Sequence, residues 1–272
     1  MSFPIIAPVH RYVIRGGQAG YERLQFLARA RRADTMALLA RAGVGAGMRC
    51  VDLGCGGGHV SFELARLVGP KGSVLGIDVD GVKLGLAREV AGEQDLANVE
   101  FREANVTDWE EPGAYDLVYC RFLLQHLRRP IDLLRRMWSA VRAGGVIVVE
   151  DSDFEAAFCE PSNRGYEFHQ EMYQRVLERN GGDPATGRKL YGFFAEIGIP
   201  DPELRIVQGA GATGESKQMP LLTLEAIADS IVAAGLASPD EVAAAIADLA
   251  AFTSTEGTLL AEPRVFQLWA RR

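Results

Sequence analysis

The feature that most constrains this chain is the stretch Val51-Asp52-Leu53-Gly54-Cys55-Gly56-Gly57-Gly58, set between a β-like run, Arg49 to Leu53, and an amphipathic helix pattern from Val60 to Val68. A strand that ends in glycines and passes straight into a helix makes a nucleotide-type site at the edge of an open α/β sheet. The glycines let backbone approach a ligand, and the orphan N–H groups of the first helical turn point at it.

The spacing narrows the choice of ligand. A dinucleotide fingerprint puts its third glycine one place later, where His59 stands. Asp52, two residues before Gly54, would repel a pyrophosphate but suits a ligand carrying an ammonium group and a sulfonium, as S-adenosylmethionine does. An NAD(P)-dependent oxidoreductase remains the less favoured alternative.

Asp52-x-Gly54-x-Gly56-x-Gly58 resembles motif I of the class I S-adenosylmethionine-dependent methyltransferases, and the likeness runs over residues 47 to 150. The resemblance implies cofactor contacts at Asp52, Gly54, Cys55 and Gly56. Ser73 to Asp78 reads as a second parallel strand, and Asp78 follows Gly58 by twenty residues. There a carboxylate accepts hydrogen bonds from ribose hydroxyls, with Val79 against the adenosine; its other readings are a solvated acid or the N-cap of the next helix. A third strand, Asn98 to Glu103, leads to Asn105 and Val106, the adenine contacts that the resemblance implies. The family commonly has an acid at the first of these, and the Asn105 carbonyl can still accept from the adenine amino group. Tyr115 to Cys120 is the fourth strand, and Arg121, a further implied cofactor contact, opens the segment running to His126 at the mouth of the sheet. Tyr12 either folds over the cofactor or anchors a loop.

A helix from Pro130 to Val141 and the apolar strand Val146 to Val149 complete a βαβαβαβαβ alternation, with a helix between the third and fourth strands included. The expectation is one α/β domain over 1–272: a doubly wound seven-stranded sheet, mostly parallel with the last strand antiparallel. A helical segment at about 1–46 precedes the cofactor-binding core at 47–152. Leu204 to Gln208 is the sixth strand and Arg264 to Ala270 the seventh. Insertions at about 153–183 and 210–262, including helices Leu224 to Ala234 and Pro239 to Phe252, are expected to form a lid over the carboxyl ends of the strands. Their alternative role is a homo-oligomer interface, and the two roles are compatible.

Methyl transfer from a sulfonium is an in-line displacement that depends on positioning, and a base is needed only if the acceptor must lose a proton. His126, at the sheet mouth, is the first candidate base; its alternative is to cap or pack under the next helix. His169, beside Tyr166 and Tyr173 on the expected lid helix, is the second. Glu150, Asp151 and Asp153 would hold a cationic acceptor or be solvated loop carboxylates, and the solvated reading is favoured. The segment after the fourth strand lacks both the Pro-Pro-aromatic loop of many nucleic-acid amino-methylating enzymes and the acidic cluster of magnesium-dependent ones. The resemblance thus implies a metal-independent enzyme acting on a small organic acceptor, with a non-methylating S-adenosylmethionine-binding protein as the alternative.

Composition agrees with a small-molecule partner. A net charge of -7 and a pI near 5.3 argue against a non-specific nucleic-acid surface. The four cysteines show no C-x-x-C spacing, and no signal peptide or membrane-length apolar run is apparent, so a cytoplasmic protein with free thiols is expected.

Overall fold

A computed structural model of the chain describes residues 17–272. A long helix, α1 (Gly17–Arg41), leads into alternating strands and helices: β1 (Arg49–Leu53), α2 (His59–Val68), β2 (Ser73–Asp78), α3 (Gly81–Glu93), β3 (Val99–Glu103), β4 (Tyr115–Arg121), α4 (Pro130–Ala140) and β5 (Val141–Asp153). The second half holds β6 (Phe158–Glu160), α5 (Arg164–Arg179), α6 (Thr186–Glu196), β7 (Glu203–Val207), β8 (Ala210–Gly211), α7 (Gly214–Ala233), α8 (Pro239–Ser254), β9 (Leu259–Ala261) and β10 (Arg264–Arg271).

Seven strands form the main sheet in the order β3-β2-β1-β4-β5-β10-β7. β1 lies parallel to both neighbours, with Val51 opposite Leu75 and Val118, whereas β10 runs antiparallel to β5 and β7, with Leu268 opposite Val149 and Leu204. The doubly wound sheet with an antiparallel last strand is therefore as the sequence leads one to expect. Because successive strand side chains alternate faces, the apolar runs of the central strands feed two cores at once. Cys50, Leu117, Tyr119, Val146 and Val148 pack on one face with Leu38, Phe62, Leu64 and Leu84 of the first three helices. Val51, Leu53, Val118, Ile147 and Val149 pack on the other with Leu133, Met137, Leu190 and Phe194 of α4 and α6. A third cluster joins α5, α7 and α8 through Tyr173, Val176, Leu224, Ile227, Ile231, Val242 and Leu249.

Three details differ from the sequence-based expectation. Residues 104–114 contain turns and no helix, because a segment that short, carrying Pro112 and Gly113, cannot complete a stable helical span. α7 begins at Gly214 rather than Leu224, running through Pro220, whose position in the chain suggests a break. A three-stranded sheet, β6-β9-β8, also links the segments 153–183 and 210–262, built from strands of two or three residues that no periodicity could disclose. α8 opens on a capping box between Ser238 and Glu241.

The end of β5 departs most. Glu150, Asp151 and Asp153 are not solvated: they are 2%, 0% and 1% exposed. Glu150 Oε1 accepts from the Tyr119 hydroxyl at 2.6 Å and the Thr35 hydroxyl at 2.9 Å, and Oε2 accepts from Gln267 Nε2 at 2.7 Å. One carboxylate thus ties α1, β4, β5 and β10 together under the site. Asp151 accepts from the backbone N–H groups of Gln125 and Ser152, while Asp153 receives Arg188 at 2.7 Å on both oxygens.

Glu150→Ala would strand three buried donors, each costing about 1–3 kcal/mol when left unsatisfied. Urea denaturation should show a loss of about 3–5 kcal/mol; a loss below about 1 kcal/mol would contradict this account of the junction.

Candidate functional site

The turn after β1 is held against the end of β2. The N–H groups of Gly54 and Cys55 donate to the Ile77 carbonyl at 2.8 and 3.0 Å, and Gly56 N–H donates to Asp78 Oδ2 at 2.8 Å. Gly54 and Gly56 have φ of 69° and 54°, the left-handed region that side chains avoid. A Cβ at either would also meet a leucine, Leu123 or Leu24, at 2.8 Å. The glycines are therefore required both by backbone conformation and by close approach.

Asp78 Oδ1 accepts from the Asp80 N–H at 3.0 Å, and the N-cap of α3 is Asp80, not Asp78. The capping alternative for Asp78 is thus removed, and its carboxylate stands at the rim of a cavity of about 1320 Å³. Val79, 58% exposed, also lines this cavity. Asp52, Gly54, Cys55, Gly56, Asn105, Val106, Arg121, His126 and His169 line the same cavity. Every site residue expected from the sequence thus faces one space, except Tyr12, which lies outside the described residues.

Electrostatics divide that space. Asp52 is buried and accepts from the Ser61 hydroxyl at 2.6 Å. Burial pushes its carboxyl up to about 7, the Asp78 charge adds to the rise, and the Ser61 hydrogen bond and Arg121 oppose it. Cys55 is likewise raised by burial, so its sulfur stays a thiol. Asn105 is exposed, and its Oδ1 already accepts from the Thr107 N–H at 3.0 Å, which leaves one lone pair for any other partner. Arg121 donates to Thr35 at 3.0 Å, one hydroxyl away from the Glu150 junction.

The two candidate bases are less basic than the sequence suggests. Burial, with the charges of Arg23 and Lys83, lowers His126 to about 3; burial, with Arg23, lowers His169 to about 3. His126 ends a short 3₁₀ turn, Leu124–His126, and does not cap α4, whose N-cap is Arg129. The preceding Gln125 fixes that turn: its N–H donates to Asp151, its Oε1 accepts from Ser152 at 2.7 Å, and its carbonyl accepts from the Asp183 N–H. His169 sits between Tyr166 and Tyr173, with ring centroids 6.1 and 6.4 Å away. His59 opens α2 and packs on Tyr21 and Phe62.

Two features escape sequence reading. Phe122, also on the cavity wall, has φ of 53°, a strained conformation for a bulky residue, held by its N–H donating to the Glu150 carbonyl at 2.8 Å. Arg23 of α1 reaches across to Thr223 of α7, a pairing between residues 200 positions apart that no local pattern announces. Among the described residues, no group of three or more His, Cys, Asp or Glu side chains is placed to hold a metal ion, and no helix is long and apolar enough to cross a membrane.

Comparison with known proteins adds a family. A family model described as a methyltransferase domain matches residues 45–197. The chain is similar to the ubiquinone biosynthesis O-methyltransferase of Acinetobacter baylyi, with 36% identity over 103 residues, 37% of this chain and 42% of that protein. The match therefore spans about two fifths of the relative's length. Among solved structures, the fold is similar to Haemonchus contortus phosphoethanolamine N-methyltransferase 2 in complex with phosphomonomethylethanolamine and S-adenosylhomocysteine, at a TM-score of 0.57 and 16% identity, covering 88% of this chain and 52% of that one. It is also similar to the cyclase SpnF, at a TM-score of 0.55 and 19% identity, covering 90% and 81%.

The raised Asp52, with Asp151, which burial also pushes up to about 7, gives a testable pH dependence. Both folded values lie above the ordinary carboxylate value near 4, so between about pH 4 and 7 the native state binds more protons than the unfolded one and loses stability as pH rises. Thermal unfolding of the unliganded protein at pH 5.5 and 7.5 should show the wild type losing stability relative to Asp52→Asn/Asp151→Asn. Parallel behaviour of the two proteins would refute the assignment.

Proposed function

The chain belongs to the methyltransferase-domain family, and from that premise we propose that it transfers a methyl group from S-adenosylmethionine to a small organic acceptor. The observation that carries this reading is that the glycine turn, the Asp78 carboxylate, the bare Val79 side chain and the two candidate histidines all open on one cavity. At about 1320 Å³ it exceeds the roughly 300–1,000 Å³ of a single-ligand cleft, so a cofactor and an acceptor fit side by side.

The residues fit the cofactor. Gly54 and Gly56 make a tight turn on the cavity wall that any Cβ would push against Leu123 or Leu24, Asp52 offers a carboxyl to a cationic amino acid end, Asp78 keeps acceptor capacity for two sugar hydroxyls, and Val79 and Val106 offer apolar contact to a purine. S-adenosylmethionine, when bound, supplies a methyl group already activated by its sulfonium. What remains for this chain is orientation and the exclusion of water. The core at 47–152 would hold the cofactor, and the segments at 153–183 and 210–262, whose α5 and α7 side chains line the cavity, would close over the acceptor as parts of one domain. With values near 3, His126 and His169 stay neutral at physiological pH, and they are better suited to orient an acceptor by hydrogen bonding than to remove its proton.

Calorimetric titration with S-adenosylhomocysteine and with NAD should separate the cofactor classes: binding of the first at micromolar levels and none of the second. Asp78→Ala, which removes two charge-assisted hydrogen bonds, should weaken S-adenosylhomocysteine about tenfold to a hundredfold or more. No binding up to millimolar levels, or an unchanged affinity in Asp78→Ala, would overturn the reading. Binding without methyl transfer to any acceptor would favour a non-methylating catalyst on the same fold.

A further inference from the structure

The protein as a whole is acidic, at -7, yet the wall of its cavity carries more arginine and lysine than aspartate and glutamate. The acids that do line it fall into two groups. Asp52, Asp78 and Asp80 stand at the ends of β1 and β2, on the cofactor side. The other two are each neutralised by an arginine of the same wall: Asp132 by Arg129 at 2.7 Å, and the buried Glu262 by the equally buried Arg31. Glu150, Asp151 and Asp153, the acids that would have suited a cationic acceptor, are consumed in internal hydrogen bonds. Among the described residues, the lid side therefore presents no uncompensated carboxylate.

It does present a fixed cation. Arg23 Nε and Nη2 both donate to Thr223 Oγ1, at 3.2 and 3.1 Å, while the Thr223 hydroxyl donates in turn to the Met219 carbonyl at 2.8 Å. The hydroxyl proton is thereby committed, its lone pairs face the guanidinium, and the arginine is pinned across the gap between α1 and α7. Arg23 lines the same cavity as His126, His169 and Tyr173, and its charge is felt by all three. On the same wall, His169 is 3% exposed, and its Nε2 has no hydrogen-bond partner, an unmet need in a buried polar atom that a ligand would satisfy. Around these lie Tyr166, Tyr173 and Phe154, the last two stacked at 4.5 Å.

Resting on the methyltransferase reading above, we propose that the acceptor is an organic carboxylate with an aromatic or similarly apolar body, its carboxylate held by Arg23 and by the ring of His169. One guanidinium and one neutral imidazole match a single negative charge, which the apolar walls would otherwise make costly to desolvate. The net positive wall also draws an anion into the mouth, past Arg128 and Arg179, against the negative charge of the whole.

The test uses the full chain saturated with S-adenosylhomocysteine, titrated with benzoate, 2-naphthoate, phenyl phosphate and the uncharged amides of the two carboxylates. The carboxylates should bind at least tenfold more tightly than their amides and more tightly than phenyl phosphate. Arg23→Gln should erase the preference, Arg23→Lys should retain part of it, and Thr223→Val, which keeps the charge but frees its orientation, should reduce it. Amides binding as well as carboxylates, phenyl phosphate binding best, no binding by either carboxylate, or a preference that survives Arg23→Gln would each overturn the proposal. A wild-type protein that fails to bind S-adenosylhomocysteine at all would instead overturn the cofactor reading beneath it.

Discussion

Three backbone amides, those of Gly54, Cys55 and Gly56, are turned toward the end of β2, two onto the Ile77 carbonyl and one onto the Asp78 carboxylate. This clamp satisfies three donors of the turn ahead of α2, and it fixes the Asp78 carboxylate in one orientation at the cavity rim. Because the turn must pass through left-handed backbone to make these bonds, only glycine serves at Gly54 and Gly56, where Leu123 and Leu24 pack close against the backbone. Without the clamp, neither the turn nor the acid would have a defined place.

Behind the clamp stands a layer of buried carboxylates that the fold can tolerate only because each is answered. Glu150 with Tyr119, Thr35 and Gln267, and Asp151 with the amides of Gln125 and Ser152, connect the strand ends to α1 and to the turn that carries His126. Hydrogen-bonded carboxylates of this kind fix geometry. Among the buried side-chain atoms that lack partners, Gln267 Oε1 lies in this layer and Trp109 Nε1 lies away from the cavity, whereas His169 Nε2 and Gln170 Oε1 lie on the cavity wall. An unanswered imidazole nitrogen at the wall is a point where a ligand would be held.

Much of this was legible in the sequence, for reasons that can be named. The strand-glycine-helix passage at 51–58, the β2 end at Asp78 and the continuous apolar strand at 146–149 are local patterns whose period or chemistry admits few folds. They place Asp52, Gly54, Cys55, Gly56, Asp78, Val79, Asn105, Val106, Arg121, His126 and His169 around one cavity. What stayed hidden is non-local. The Glu150, Asp151 and Asp153 run looks like a solvated loop because nothing near it reveals Gln267 or Arg188. The Arg23 and Thr223 pair joins helices 200 residues apart, and the small sheet is made of strands too short to show alternation. The depressed basicity of the two histidines follows from burial and from Arg23, neither of which is written in their neighbours.

The account rests on the turn at 54–58 and the carboxylate at Asp78 forming one cofactor cradle. Amide hydrogen exchange with and without S-adenosylhomocysteine measures this most directly. The account predicts slower exchange concentrated in three separated stretches: the turn from Gly54 to His59, residues 78–80, and residues 105–107. Unchanged exchange in the turn while protection arises elsewhere in the protein would contradict it.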